Sequence, residues 1–263
     1  MARILAAAFS AVLVMGGAAE AQKVNVQASY EISLAGWGIA KSTLDLKING
    51  RRYEASLFMK PKGVARIVTA VRTTVSASGE VRKGRVLPAR YRVRAEEIKR
   101  PVAVDMSMRG GNVSKVSARP PLKKRKGRVN ITRAHRRGVV DPFSSGLIPI
   151  RSADGRDACD RTLEIYDGWT RYNVRLAFKG MRRVKTKGFS GKVAVCAARW
   201  VPVAGHRPAK KEVQYLKNNR DLEVTVMALP GGRYGIPYSV SIGTPNGKIR
   251  VEPSRFNISA AGV

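Results

Sequence analysis

The chain has 263 residues, with 50 Lys and Arg against 18 Asp and Glu, a formal net charge of +32 and a hydrophobic fraction of 44%. That apolar content excludes a disordered basic tail and calls for a folded domain with a basic surface. Beyond the N-terminal stretch the longest fully apolar run is Val193 to Ala198, too short to span a bilayer as a helix, and an aromatic content of 6% argues against the girdles of a transmembrane barrel.

In chain order, Met1-Ala2-Arg3 supplies a short positive region, Ile4 to Met15 an apolar run, and Ala19-Glu20-Ala21 the small residues that signal peptidase reads. These three parts predict a secretory signal peptide over 1–21, cleaved after Ala21, and a periplasmic protein starting at Gln22. No cysteine follows the cleavage point, which argues against a lipid anchor. Val24, Val26, Ala28, Tyr30, Ile32 and Leu34 then alternate with polar residues, the mark of a half-buried strand. Gly36-Trp37-Gly38 turns the chain, and Leu44, Leu46 and Ile48 form a second strand. Asn49-Gly50 reads as a type I′ hairpin turn, followed by Tyr53, Ala55, Leu57 and Met59. Similar patterns recur at Tyr91–Ala95, Val102–Met108, Leu163–Ile165, Tyr172–Phe178, Leu222–Ala228, Ile236–Ile242 and Ile249–Val251.

The turns Asp167-Gly168, Pro230-Gly231-Gly232 and Pro245-Asn246-Gly247 separate most of these runs. Two segments break the pattern. Asp141-Pro142 reads as a helix cap followed by a first-turn proline, opening a short helix towards Leu147. Ala209 to Asn219 places Val213 and Leu216 on one helical face. Between the halves, Arg119 to Arg137 reads as a mobile basic loop. The fold class expected is mainly β: one domain over 22–263, a large curved antiparallel sheet forming a half-open or closed barrel, with one or two short helices.

The only cysteines, Cys159 and Cys196, predict a disulfide in an exported chain. On chain-entropy grounds it stabilises by about 4 kcal/mol.

Several short patterns together resemble an exported family of alphaproteobacteria, domain of unknown function 3108. They are Leu87-Pro88-x-x-Tyr91, Asp141-Pro142-Phe143-Ser144, Cys159-Asp160-Arg161 leading into Asp167-Gly168-x-Thr170-Arg171-Tyr172, and Tyr215-Leu216 leading into Arg220-Asp221-x-Glu223-Val224. The resemblance runs over most of the mature chain. It implies a curved periplasmic β-sheet, similar in shape to the half-open barrels of lipoprotein carriers, and brings no reaction with it. The long run of Lys and Arg departs from the family pattern.

No catalytic constellation is visible: no G-x-S-x-G elbow, H-E-x-x-H helix or phosphate-binding loop occurs. Two histidines, His135 and His206, are too few for a zinc site. Asp154, Asp157 and Asp160 do not match the ligand spacing of a calcium loop. No cofactor or metal is expected, and Asp141, whose motif suggests an acid, is accounted for by helix capping. The basic charge is the informative surplus. From Arg82 to Arg137 stand 19 Lys and Arg against Glu96, Glu97 and Asp105.

Lys123, Lys124, Arg125 and Lys126 form one candidate anion-binding group, and Arg182, Arg183 and Lys185 another. Export makes nucleic acid an unsuitable physiological target, leaving anionic lipid headgroups, lipopolysaccharide phosphates or acidic envelope glycans, with the protein peripheral to the membrane at most. The leading expectation is a non-enzymatic envelope protein binding an anionic amphiphile through an apolar groove and basic rim. The alternatives are a partner-binding factor with a filled barrel and an envelope hydrolase built from scattered carboxylates.

Overall fold

The computed structural model describes residues 23–63, 71–96, 101–123 and 126–262. The leader 1–21 with its cleavage point, and Lys124 and Arg125 of the basic run, lie outside the described residues. Alternation builds the strands: β1 (Lys23–Leu34), β2 (Trp37–Asn49), β3 (Arg52–Pro61), β4 (Arg72–Arg82), β5 (Arg85–Glu96), β6 (Val102–Arg109) and β7 (Asn112–Arg119) form one antiparallel meander. After a long connector come β8 (Ile148–Pro149), β9 (Arg161–Tyr166), β10 (Arg171–Thr186), β11 (Phe189–Ala204), helix α1 (Lys211–Asn218), β12 (Leu222–Ala228), β13 (Tyr234–Thr244) and β14 (Gly247–Ala261).

These strands join in one sheet ordered β7-β6-β5-β4-β3-β2-β1-β14-β13-β12-β11-β10-β9, with β8 pairing β13 off this path. The sheet is mainly antiparallel and not closed: β7 and β9 are its edges. First and last strands pair at its centre, with Val24 opposite Ala260 and Ala28 opposite Phe256. Right-handed twist curls so long a sheet, and the two wings meet across a shared core of Ala77, Tyr91, Val104, Met106 and Met108 with Val139 and Tyr166.

The seam between the wings is stitched by the connector rather than by a strand ladder. The Val139 amide donates to Gly111 O at 2.8 Å, the Val140 amide to Glu164 O at 2.8 Å, and the Tyr166 amide to Val140 O at 3.0 Å. The expectation of a mobile loop is therefore corrected over 128–137. The Val129 amide donates to His206 O and the Gly205 amide to Val129 O, while the Arg136 guanidinium lies over the Tyr166 ring at 5.9 Å. Backbone polar groups next to a packed core need partners, and this segment finds them in the wall.

Other departures from the expected elements have local causes. The Asp141 cap forms, but its helix is a single 3₁₀ turn, Ser144–Gly146, because Leu147 leads at once into β8. The first hairpin turns at Ala35–Gly36, with Trp37 already paired to Leu34. In the second, Asn49 stays in β2 opposite Arg52. Gly50 and Arg51 are the central residues, and the positive φ of 58° falls on Gly50, the II′ rather than the I′ pattern.

Phe178, which the Tyr172–Phe178 alternation places on the inward apolar face with Tyr172, Val174 and Leu176, is 38% exposed. A bulge between Phe178 and Gly180 breaks the register of β10, and the Arg156 guanidinium sits 5.9 Å from the ring. The other residues expected inward are buried or half-buried, but Val174, Leu176, Val224 and Val226 pack in a separate cluster around the disulfide.

The main core holds Val24, Val26, Tyr30, Leu46, Ile48, Tyr53, Val81, Val193, Met227, Tyr234, Ile236, Tyr238 and Phe256, with Leu147 from the connector. β13 and β14 part company after Val240–Val251. The tip of the β10–β11 hairpin covers the gap: the Phe256 amide donates to Lys187 O at 2.8 Å, and Phe189 packs on Tyr238 and Phe256 with centroids 5.8 and 6.0 Å away.

Candidate functional site

One end of the curled sheet is closed and the other open. At the open end lie the β1–β2 and β13–β14 turns. There the inward rows Ile32–Val251–Val240 and Leu34–Ile249–Ile242 remain half-buried. Deeper in, a cavity of 220 Å³ is lined by Leu44, Leu46, Leu57, Ile236, Val240 and Val251 from the strands and by Pro142, Phe143 and Leu147 from the connector. The hydroxyls of Tyr30, Tyr53 and Ser144 border it, and two of them are committed: Tyr30 donates to Pro237 O at 3.1 Å and Tyr53 to Ser144 Oγ at 2.7 Å. The cavity exceeds the roughly 150 Å³ of an apolar hole that takes benzene and falls short of the ~300–1,000 Å³ of drug-sized pockets. Such a space suits a slender apolar chain.

Behind the cavity floor stands Asp141, fully buried. Its Oδ1 accepts the Phe143 and Ser144 amides at 3.0 and 2.8 Å, the capping role expected of it, while Oδ2 has no hydrogen-bond partner among the described residues. Burial pushes the carboxyl up to about 6 against the pull of the Ser144 hydroxyl and amide. The tyrosines near it, Tyr53, Tyr91 and Tyr172, are held above their ordinary range, first by burial and then by carboxylate charge that includes Asp141. They stay protonated and serve as neutral hydrogen-bonding groups.

Of the patterns behind the family resemblance, Leu87–Tyr91, Asp141–Ser144 and Asp167–Tyr172 lie here or on the seam, whereas Cys159–Arg161 lies at the disulfide cluster and Tyr215–Val224 on α1 and β12. Pro88 is buried opposite Gly79, where a Cβ would stand 2.4 Å from Leu87 O. Asp167 accepts the Trp169 and Thr170 amides at 2.8 and 2.6 Å. Gly168, at φ 101°, lies so close to Val104 that a Cβ would be 2.9 Å from its Cγ1. Arg171, 7% exposed, pairs with Glu164 at 3.0 Å. Cys159 and Cys196 are joined in a disulfide. Asp160 Oδ1 accepts the Phe178 amide at 3.0 Å. The carboxylates whose spacing does not match a calcium loop hold their own loops: Asp154 bonds Arg156, and Asp157 takes the Arg151 and Ser152 amides. Among the described residues no three His, Cys, Asp or Glu side chains could share a metal ion, and no helix is long and apolar enough to cross a membrane.

The basic candidates fall in two separate places. Lys123 and Lys126 are exposed. Lys123 borders a cleft at the open end, shared with Trp169, Trp200, His206, Arg207 and Lys210. Burial lowers the His206 imidazole below its ordinary range. Arg182, Arg183 and Lys185 lie far along β10; at about 3.3 Å per residue, Arg182 stands roughly 35 Å from Arg171. The two groups cannot share one small anion.

Arg182 also has a partner in the fold, because β12 brings a carboxylate that sequence distance hid. Glu223 pairs with Arg182 at 2.9 Å and with Lys179 at 3.0 Å. Trp37, beside the open rows, escaped sequence reasoning because it looked like part of a turn.

A family model described as Protein of unknown function (DUF3108) matches residues 29–252. No curated protein matches the chain. Among solved structures, the beta-barrel-like protein of domain of unknown function DUF1849 from Brucella abortus is similar over 90% of this chain and 98% of that one, with 9% identity and a TM-score of 0.45.

Proposed function

The chain belongs to the DUF3108 family of proteins of unknown function, and from that premise we propose that it is a non-enzymatic, periplasmic cell-envelope protein that binds an anionic amphiphile. The apolar tail occupies the cavity between β1–β3, β13–β14 and the connector. The acidic head remains outside, among the cations of the open end. The observation that supports this reading is the 220 Å³ cavity, continued by the half-buried rows of Ile32, Leu34, Ile242 and Ile249. Burying a methylene is worth roughly 0.8 kcal/mol, so even a short chain seated there binds usefully, and the charge of +32 favours a negative head.

Displacement of a fluorescent fatty acid tests the reading. Saturable binding is expected in the wild type, with loss in Leu57→Trp, which fills the cavity, while urea unfolding of that variant stays cooperative. Absence of saturable binding in the wild type refutes the proposal and leaves a partner-binding factor with a filled barrel in its place. Export is checked separately by N-terminal sequencing of the mature protein, expected to begin at Gln22.

A further inference from the structure

Among the described residues four large apolar side chains are exposed, Trp37 at 74%, Phe58 at 40%, Phe178 at 38% and Tyr215 at 36%. Trp37 is far the most exposed, and its place gives it meaning. It faces Leu34 across the two-residue turn of the β1–β2 hairpin, so it shares the face of the open apolar rows. The hairpin is braced: the Ala35 amide donates to Lys248 O at 3.0 Å and the Lys62 amide to Ile39 O at 2.8 Å. The neighbouring β13–β14 turn is tied to the segment after α1, through Lys248–Asp221 at 2.9 Å and Asn219 Nδ2 to Gly243 O at 2.8 Å. A tryptophan left 74% exposed on a braced turn beside half-buried apolar rows packs little against the described residues. An indole has an apolar body and one polar N–H, the combination that favours the headgroup layer of a membrane.

The surroundings supply the second attraction. Lys41, Lys60, Lys62, Lys248 and Arg250 stand near the hairpin, on strands paired to it or beside it, against Glu31, Asp221 and Glu252. Lys41 and Lys62 both bond Glu31 at 3.1 Å. One carboxylate shared by two lysines leaves this rim positive, on a chain whose total charge is +32. Weak apolar insertion and electrostatic attraction reinforce each other at an anionic surface, and neither alone holds a protein there.

We propose that the rim around Trp37 docks on an anionic phospholipid bilayer, the indole entering the headgroup layer and the rim lysines meeting lipid phosphates, so that the open end of the barrel faces the lipid. The docking gains a purpose from the amphiphile-binding reading and rests on it to that extent, but it is measured independently.

The experiment uses the mature chain with vesicles of phosphatidylcholine alone or with about a third phosphatidylglycerol, the anionic component that attracts basic rims. Co-sedimentation at low salt is expected with the anionic vesicles and not with the neutral ones. Trp37→Ala is expected to weaken it about ten-fold, as loss of one buried large apolar side chain implies. Acyl-brominated lipid is expected to quench tryptophan emission of the wild type more strongly than that of Trp37→Phe, which retains Trp169 and Trp200. Arg183→Ser with Lys185→Ser, at the remote position, is expected to bind as the wild type does. Unchanged binding by Trp37→Ala, equal quenching in Trp37→Phe, or loss of binding only when residues 123–126 are replaced by Ser overturns the proposal. Fatty-acid displacement in vesicle-free buffer reports on the cavity reading alone.

Discussion

At the closed end of the barrel Val24, Val26, Ile48 and Tyr53 are 2% exposed or less. At the open end Leu34, Ile242 and Ile249, inward residues of the same sheet, are only half-buried. Both sets obey the same period of two and carry side chains of similar size. The difference comes from what reaches them. Leu147 of the connector and Leu229 and Tyr234 around the β12–β13 turn fill the closed end, whereas among the described residues the open rows lie beside the β1–β2 and β13–β14 turns. Alternation tells which side chains share the inner face; whether that interior is filled depends on a segment far away in the chain.

The comparison can be broken first at Tyr53. Tyr53→Ala removes a buried ring and strands the Ser144 hydroxyl, and is expected to cost about 3–5 kcal/mol by urea unfolding. Replacing Cys159 and Cys196 together by Ala tests the other wing, where the disulfide holds the 150–159 strap against β11. The loss expected is about 4 kcal/mol at most on chain-entropy grounds, visible as a lower urea midpoint than that of the oxidised wild type.

Asp141 sharpens the contrast through pH. Its carboxyl titrates at about 6 in the folded protein against an ordinary 3.8, so its protonated form is the one the fold favours. That stabilisation is complete below about pH 4 and is lost as pH rises through about 6. Asp141→Asn keeps an oxygen for the Phe143 and Ser144 amides and cannot ionise. It is expected to unfold near the wild-type midpoint below pH 4, and to be more stable by about 3 kcal/mol above pH 7, two pKa units at 1.36 kcal/mol each. Parallel stability–pH curves for the two proteins would refute the assignment. At the open end, Leu34→Ala is expected to cost about 1 kcal/mol or less, since half of the side chain is already in water. A penalty as large as that of Tyr53→Ala would mean that the open rows are covered in solution.

Much of the wall was legible because a strand with one buried face writes that face into its own residues. β1, β2, β3 and β13 are of this kind. Besides the two-residue β8, three strands escaped for physical reasons. β4 carries Ser and Thr among small inward residues such as Ala77, so its contrast is weak. β7 is an edge strand with two valines, Val113 and Val116, against the core. β11 buries both faces from Val193 to Cys196 and therefore shows a continuous apolar run with no alternation. Of the site, the cap at Asp141 could be read locally. The cavity could not, nor could the pairing of Arg182 with Glu223, which lies 41 residues away.

By itself the sequence determined the mainly β character, the inward face of most strands, helix α1 to within a few residues, and the one possible cysteine pair. These follow from periodicity, turn chemistry and elimination, each of which is settled over short stretches of chain or by composition. Only the tertiary structure decided that β1 lies beside β14, that the connector stitches the seam and plugs one end, and that Trp37 is left exposed beside an unfilled opening. Those outcomes depend on contacts such as Ala28 with Phe256 and Tyr53 with Ser144. Their free energy comes from burying two distant surfaces together, and neither surface alone records its partner.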